Sequence, residues 1–81
     1  MPLKILSEET NLSEPTTVDT ASHVRLLNTG STVKITQKNS EGDTIASMTL
    51  LANQSLTVIK DYTDTLEGGA NVLATKLAFY Y

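Results

Sequence analysis

The feature that most constrains this chain is how its apolar residues are spaced. They alternate with polar ones in short runs, each closed by turn-forming residues, and no run repeats at helical spacing. Residues 32–38 are the clearest case, with Val33, Ile35 and Gln37 opposing Thr32, Lys34, Thr36 and Lys38. A period of two puts alternate side chains on opposite faces of a strand, here an apolar face against a hydroxyl and cationic one. Composition agrees: 13 Thr, 5 Val and 4 Ile make more than a quarter of the 81 residues β-branched, a bias that favours strands over helices.

The same pattern predicts a strand over 22–28, with Val24 and Leu26 opposing His23, Arg25 and Leu27. It ends in Asn28-Thr29-Gly30-Ser31, where Asn and Gly tolerate positive φ. Asn39-Ser40-Glu41-Gly42-Asp43 is the best hairpin signal. Strands follow at 44–51 and 55–60; Ile45 lies on one parity of the first, and Leu56 and Val58 share a face of the second. Residues 61–70 read as irregular, with one tight turn at Asp61-Tyr62-Thr63-Asp64 released by Gly68-Gly69. A last strand runs over 71–81, with Leu73, Thr75, Leu77, Phe79 and Tyr81 on one face. A run ending in Phe-Tyr-Tyr is expected to be tied into a sheet or a partner.

Residues 8–21 are polar, acidic and sparse in apolar groups, so they read as an extended arm. Leu3 and Ile5 flank Lys4, which allows a short strand at 3–7. The expected organisation is an N-terminal arm over 1–21 and a β-sandwich domain over 22–81. The fold class is all-β: a small antiparallel sandwich, immunoglobulin-like or jelly-roll-like, with a small barrel as the other way to close such strands. Its core should hold Val24, Leu26, Val33, Ile35, Ile45, Leu56, Val58, Leu73, Leu77 and Phe79.

Size and charge then narrow the function. A domain this small buries only about 60% of its unfolded surface, and its core supplies roughly 3–5 kcal/mol. Disulfides, a metal or association make up such a deficit. The chain has no Cys, which excludes disulfides and thiolate metal sites and leaves association with partner chains as the expected device. A net charge of −3 with six scattered Lys and Arg argues against nucleic acid. No window approaches the roughly 18 apolar residues of a membrane span or the roughly 7–15 of a signal peptide. A soluble protein made inside a cell, with no membrane partner, is therefore expected.

Reactive constellations are scarce. His23 is the single His, and its nearest acid, Asp19, lies in the expected arm; a surface or strand-end role suits it better than a metal or a nucleophilic triad. Asp61, Asp64 and Glu67 are three apart, which a helical turn would align, but they follow no calcium-loop spacing. Gly30 and Gly68-Gly69 belong to no phosphate loop. Lys34 and Lys38 share a strand face, where lysines more often guard an edge than bind phosphate. The reading is no catalytic residues, no cofactor and no metal: not an enzyme. Tyr62, Tyr80 and Tyr81 suit packing or a protein contact, with sugar stacking as the other use of such a cluster.

Taken in order, Val24-Arg25-Leu26-Leu27-Asn28-Thr29-Gly30, then Met48-Thr49-Leu50-Leu51-Ala52-Asn53-Gln54-Ser55, then Val58 to Leu66, then Val72-Leu73-Ala74-Thr75-Lys76-Leu77-Ala78-Phe79, these phrases resemble small virion structural proteins of tailed phages of marine bacteria, cyanophages especially. The resemblance covers 24–81 and, more faintly, 1–11. It implies an all-β particle protein that decorates or cements a capsid, or sits in the tail, and it carries no catalytic residues. The expected partners are the major capsid protein and copies of this chain, on the capsid exterior, with Leu3, Ile5 and Leu12 of the arm touching a neighbour. The alternative is a tail or fibre module that adheres to a host surface or glycan through Tyr62, Tyr80 and Tyr81.

Overall fold

The computed structural model describes residues 3–79, with Leu3 and Phe79 described by their backbone. Eight strands follow one another: β1 (Leu3–Ile5), β2 (Thr10–Leu12), β3 (His23–Asn28), β4 (Val33–Lys38), β5 (Thr44–Leu50), β6 (Ser55–Ile59), β7 (Thr65–Glu67) and β8 (Gly69–Phe79). All pairings are antiparallel. One sheet runs β6-β3-β8, with β1 and β2 sharing the far edge of β8; the other runs β5-β4-β7. The molecule is only 18 Å thick, as two sheets packed about 10 Å apart should be. The fold is the small antiparallel sandwich that the strand pattern implies.

The 39–43 turn forms as its residues dictate. Asn39 Oδ1 accepts the N–H groups of Glu41 at 2.9 Å and Asp43 at 3.0 Å, and Gly42 takes φ +87°, open to glycine at little cost. The turn after β3 works differently. Neither Asn28 nor Gly30 adopts positive φ. Asn28 is instead buried, at 1% exposure. Its Nδ2 donates to the carbonyls of Ser31 (2.8 Å), Leu50 (3.2 Å) and Leu51 (3.2 Å), and its Oδ1 accepts the Gly30 N–H at 2.9 Å. One amide thus ties β3 of the larger sheet to the end of β5 in the smaller, fully satisfied as a buried polar group must be.

Residues 61–70 are more regular than their composition implies. Thr65–Glu67 forms β7, paired with β4. The chain then crosses from one sheet to the other at Gly68-Gly69, where Gly69 takes φ +114° and a Cβ on Gly68 would lie 2.3 Å from Ile35 Cδ1. β8 consequently begins at Gly69, earlier than the alternation suggests.

The core holds Leu12, Val18, Ala21, Val24, Leu26, Ile35, Leu50, Leu66, Val72 and Ala74, with Val33, Met48, Leu56 and Val58 partly buried against it. Three expectations change. Ile45 is 52% exposed, because it is the extra residue at the register shift, left without a β4 partner between the Gln37–Ala46 and Lys38–Thr44 pairs. Val72 and Ala74 face inward while Leu73 is only half-buried, since the register sets Val72 opposite the inward Asn28 and Leu73 opposite the outward Leu27. Leu77 is buried yet lies outside the core cluster. The side chain of Phe79 lies outside the described residues.

The N-terminal segment is extended, but it runs along the sandwich instead of reaching away from it. β1 and β2 pair with β8, and Thr16 exchanges two backbone hydrogen bonds with Leu66 of β7, at 3.1 and 2.9 Å. Leu12, Val18 and Ala21 are 0–1% exposed, so the separate arm expected over 1–21 is, from residue 3 onward, part of the domain. Val18, Asp19 and Thr20 form one left-handed turn, with φ of 53, 58 and 54°. Its closing bond runs from the Ala21 N–H to the Thr17 carbonyl, 3.1 Å. Non-glycine residues pay about 1–2 kcal/mol each for that conformation, and burial of Val18 and Ala21 offsets it.

Candidate partner-binding surfaces

Sheet register places two exposed apolar residues, Ile5 and Ile59, at the two ends of one row on the outward face of the larger sheet. Ile5 pairs with Leu77, Leu77 with His23, and His23 with Ile59. Directly opposed residues of antiparallel strands share a face, so the four form one row across β1, β8, β3 and β6. Ile5 is 72% exposed and Ile59 75%, while Leu77 between them is buried. A second outward row, Thr75-Arg25-Thr57, is polar; Arg25 Nε donates to Ser55 Oγ at 3.3 Å.

The two flanks of the sandwich differ. Where β2 meets β7, the Gly68 N–H donates to the Leu12 carbonyl at 2.9 Å and Thr16 bridges to Leu66, so the N-terminal segment stitches the sheets together. Where β5 faces β6, the strands belong to different sheets, and a cleft of about 110 Å³ opens between them, lined by Ile35, Met48, Val58 and Leu66 with Ala46 and Ser47. Gln37, its most polar wall, donates through Nε2 to Asp64 Oδ2 at 2.8 Å.

The residues expected at a partner contact are dispersed. Ile5 is exposed and belongs to the apolar row. Leu12 is wholly buried in this chain's own core, because β2 is an inner seam between the sheets, and it is therefore no arm contact. Leu3 pairs through its backbone with Phe79, its side chain lying outside the described residues. Tyr62 stands 59% exposed in the turn after β6. Tyr80 and Tyr81 lie outside the described residues, so no tyrosine cluster can be described around Tyr62.

Two of the three acidic candidates have a structural task, while Asp61 is exposed and contributes its carbonyl. Asp64 is buried and holds Gln37; Glu67 pairs with Lys38 at 3.2 Å. Among the described residues, no three His, Asp or Glu side chains converge to hold a metal ion. Sequence reasoning missed Lys60. Its Nζ donates to the carbonyls of Ala21 at 2.6 Å and Asp61 at 3.2 Å, and its N–H donates to the Ser22 carbonyl at 2.9 Å. Burial pushes its ammonium below the usual lysine range, against the opposing pull of Asp64 and then Asp61. Its only signal in the sequence is a cation where an apolar strand meets an acidic turn. Comparison with protein families, with curated proteins and with solved structures finds no match to this chain.

Proposed function

We propose that this chain is a structural protein of a tailed-phage particle: a decoration or cement protein on the capsid exterior that binds the major capsid protein and copies of itself. The resemblance of its phrases to small phage virion proteins suggests the setting. The observation that carries the reading is the outward row Ile5-Leu77-His23-Ile59. Two isoleucines about three-quarters exposed on one sheet face form a surface suited to protein contact by area, without special chemistry. Covering each would contribute about 1–2 kcal/mol, and many copies on a repeating shell multiply the effect.

The test is to separate purified particles into heads and tails and to quantify this chain in each by mass spectrometry. Many copies per head are expected, and an Ile5→Lys, Ile59→Lys double variant should lose head occupancy while keeping its melting temperature. Absence from heads would overturn the reading; a few copies confined to tails would favour a tail or fibre adhesin instead.

A further inference from the structure

The four sheet edges are not treated alike. The β1/β2 edge carries Lys4, Glu8 and Glu9 and is interrupted between its two strands. The β7 edge is three residues long, carries Glu67 and is bridged by Thr16. Charges, interruptions, short strands and covering segments are the usual means of keeping an edge from pairing with another chain. β6 has none of these, and β5 only a one-residue irregularity at Ile45, near its first end. Thr-Ile-Ala-Ser-Met-Thr-Leu and Ser-Leu-Thr-Val-Ile contain no charged residue and no proline. Both unguarded edges lie on the same flank, on either side of the apolar cleft.

That flank also lacks a strand. The larger sheet is four strands wide and the smaller three. With β7 seated over β2, the deficit falls beside β5, where Leu56 and Val58 of β6 remain only half-covered. A strand added to β5 would continue the smaller sheet over them.

We infer that the free edge of β5 is a docking site for β5 of a second copy of this chain, the two strands pairing antiparallel about a two-fold axis near Ser47. A two-fold contact sets a strand against itself, so any charge on it would face its own copy. Among the edges, β5 is uncharged, spans about 24 Å and borders the cleft. It can therefore pair with itself without repulsion, although each chain carries a net charge of −3. Centred on Ser47, the pairing sets Ala46 opposite Met48 of the second copy, and the small and large residues that line each cleft complement one another across the axis. The β7-β4-β5 sheet would become six strands continuous through both copies, and the two clefts would close on each other. The pairing concerns the purified chain and does not depend on what the protein binds in a particle.

The experiment is sedimentation equilibrium of the purified full chain. A dimer is expected. Ser47 is exposed, so Ser47→Lys should leave the thermal melt unchanged while raising the dimer Kd on the order of a hundredfold, by setting two like charges face to face. Ser47→Glu should do the same, and mixing the two variants should restore a dimer. Thr10→Lys, exposed on β2 at the opposite flank, should dimerise as the parent does. A chain that stays monomeric at all concentrations overturns the inference. So does a dimer that Ser47→Lys leaves intact, or a Lys and Glu mixture that stays monomeric. A monomer whose binding to heads is nonetheless lost on Ser47→Lys would assign the edge to a strand of the shell protein, and would equally reject the second copy.

Discussion

The two flanks of this sandwich are built from the same kinds of residues and end up in opposite states. On one, the N-terminal segment inserts Leu12, Val18 and Ala21 between the sheets and bonds to β7 and β8, so the core is sealed. On the other, β5 and β6 stand apart over an apolar cleft, and Met48 and Val58 remain half-covered. The difference teaches that the sealed flank adds three wholly buried side chains to the core, while the open flank leaves apolar surface only half-covered. A small core can hold its fold and still leave one flank unfinished only if the other is closed by chain that looks dispensable.

The strongest way to break this contrast is to delete residues 1–21. The deletion removes three fully buried side chains and the partner strands of β8. Their combined worth is comparable to the whole stability of a domain, about 5–15 kcal/mol, so circular dichroism should show no cooperative unfolding transition. A folded, cooperatively melting product would mean the segment is only an appendage.

Single truncations sharpen the comparison. Leu12→Ala on the sealed flank should lower stability by about 2–5 kcal/mol in urea titration. Met48→Ala on the open flank should lower it by about 1 kcal/mol, since the side chain is already part-solvated. Equal losses would erase the distinction. Asn28→Ala should reduce stability by about 2–3 kcal/mol, because it strands the carbonyls of Leu50 and Leu51 and the N–H of Gly30. It acts where the open flank is still joined, so its loss should also speed amide hydrogen exchange along β5 ahead of β8.

The smallest effect is one of pH. Lys60 fastens the end of the N-terminal segment, and its native pKa lies below the ordinary 10.5. Between that lowered value and 10.5 the unfolded chain binds the proton more tightly than the folded one, so stability rises with pH across this window. Lys60→Met should flatten that rise in urea midpoints measured as the pH is raised toward 10.5. An unchanged slope would show that the ammonium is no less comfortable folded than unfolded.

Much of the fold was legible before any coordinates. β3 to β6 fall within about one residue of the ends that alternation predicts, and the 39–43 turn forms through Asn39 and Gly42 as expected. These are short-range signals, set by side-chain period and by which residues tolerate a turn. The buried role of the N-terminal segment was not legible, because Leu12, Val18 and Ala21 enter the core singly from an irregular stretch and show no period at all. β7 was hidden for a related reason: a strand of three residues with one apolar member, Leu66, has too little alternation to read. In β8 both parities carry apolar residues, so periodicity alone could not choose between Val72 and Leu73. Of the expected contact residues, Ile5 is available and Leu12 is not, a distinction that depends on which strand lies over each.

By itself, then, the sequence determined that this chain forms short antiparallel strands joined by turns, because alternation and turn chemistry act within a few residues of one another. Only the tertiary structure decided which edges are sealed, which faces pair, and that Ile5, Leu77, His23 and Ile59 stand in one row. Those outcomes depend on register between strands as far apart as β1 and β8, and register is settled by the packing of the whole core, in which no single segment carries enough apolar surface to dictate its partner.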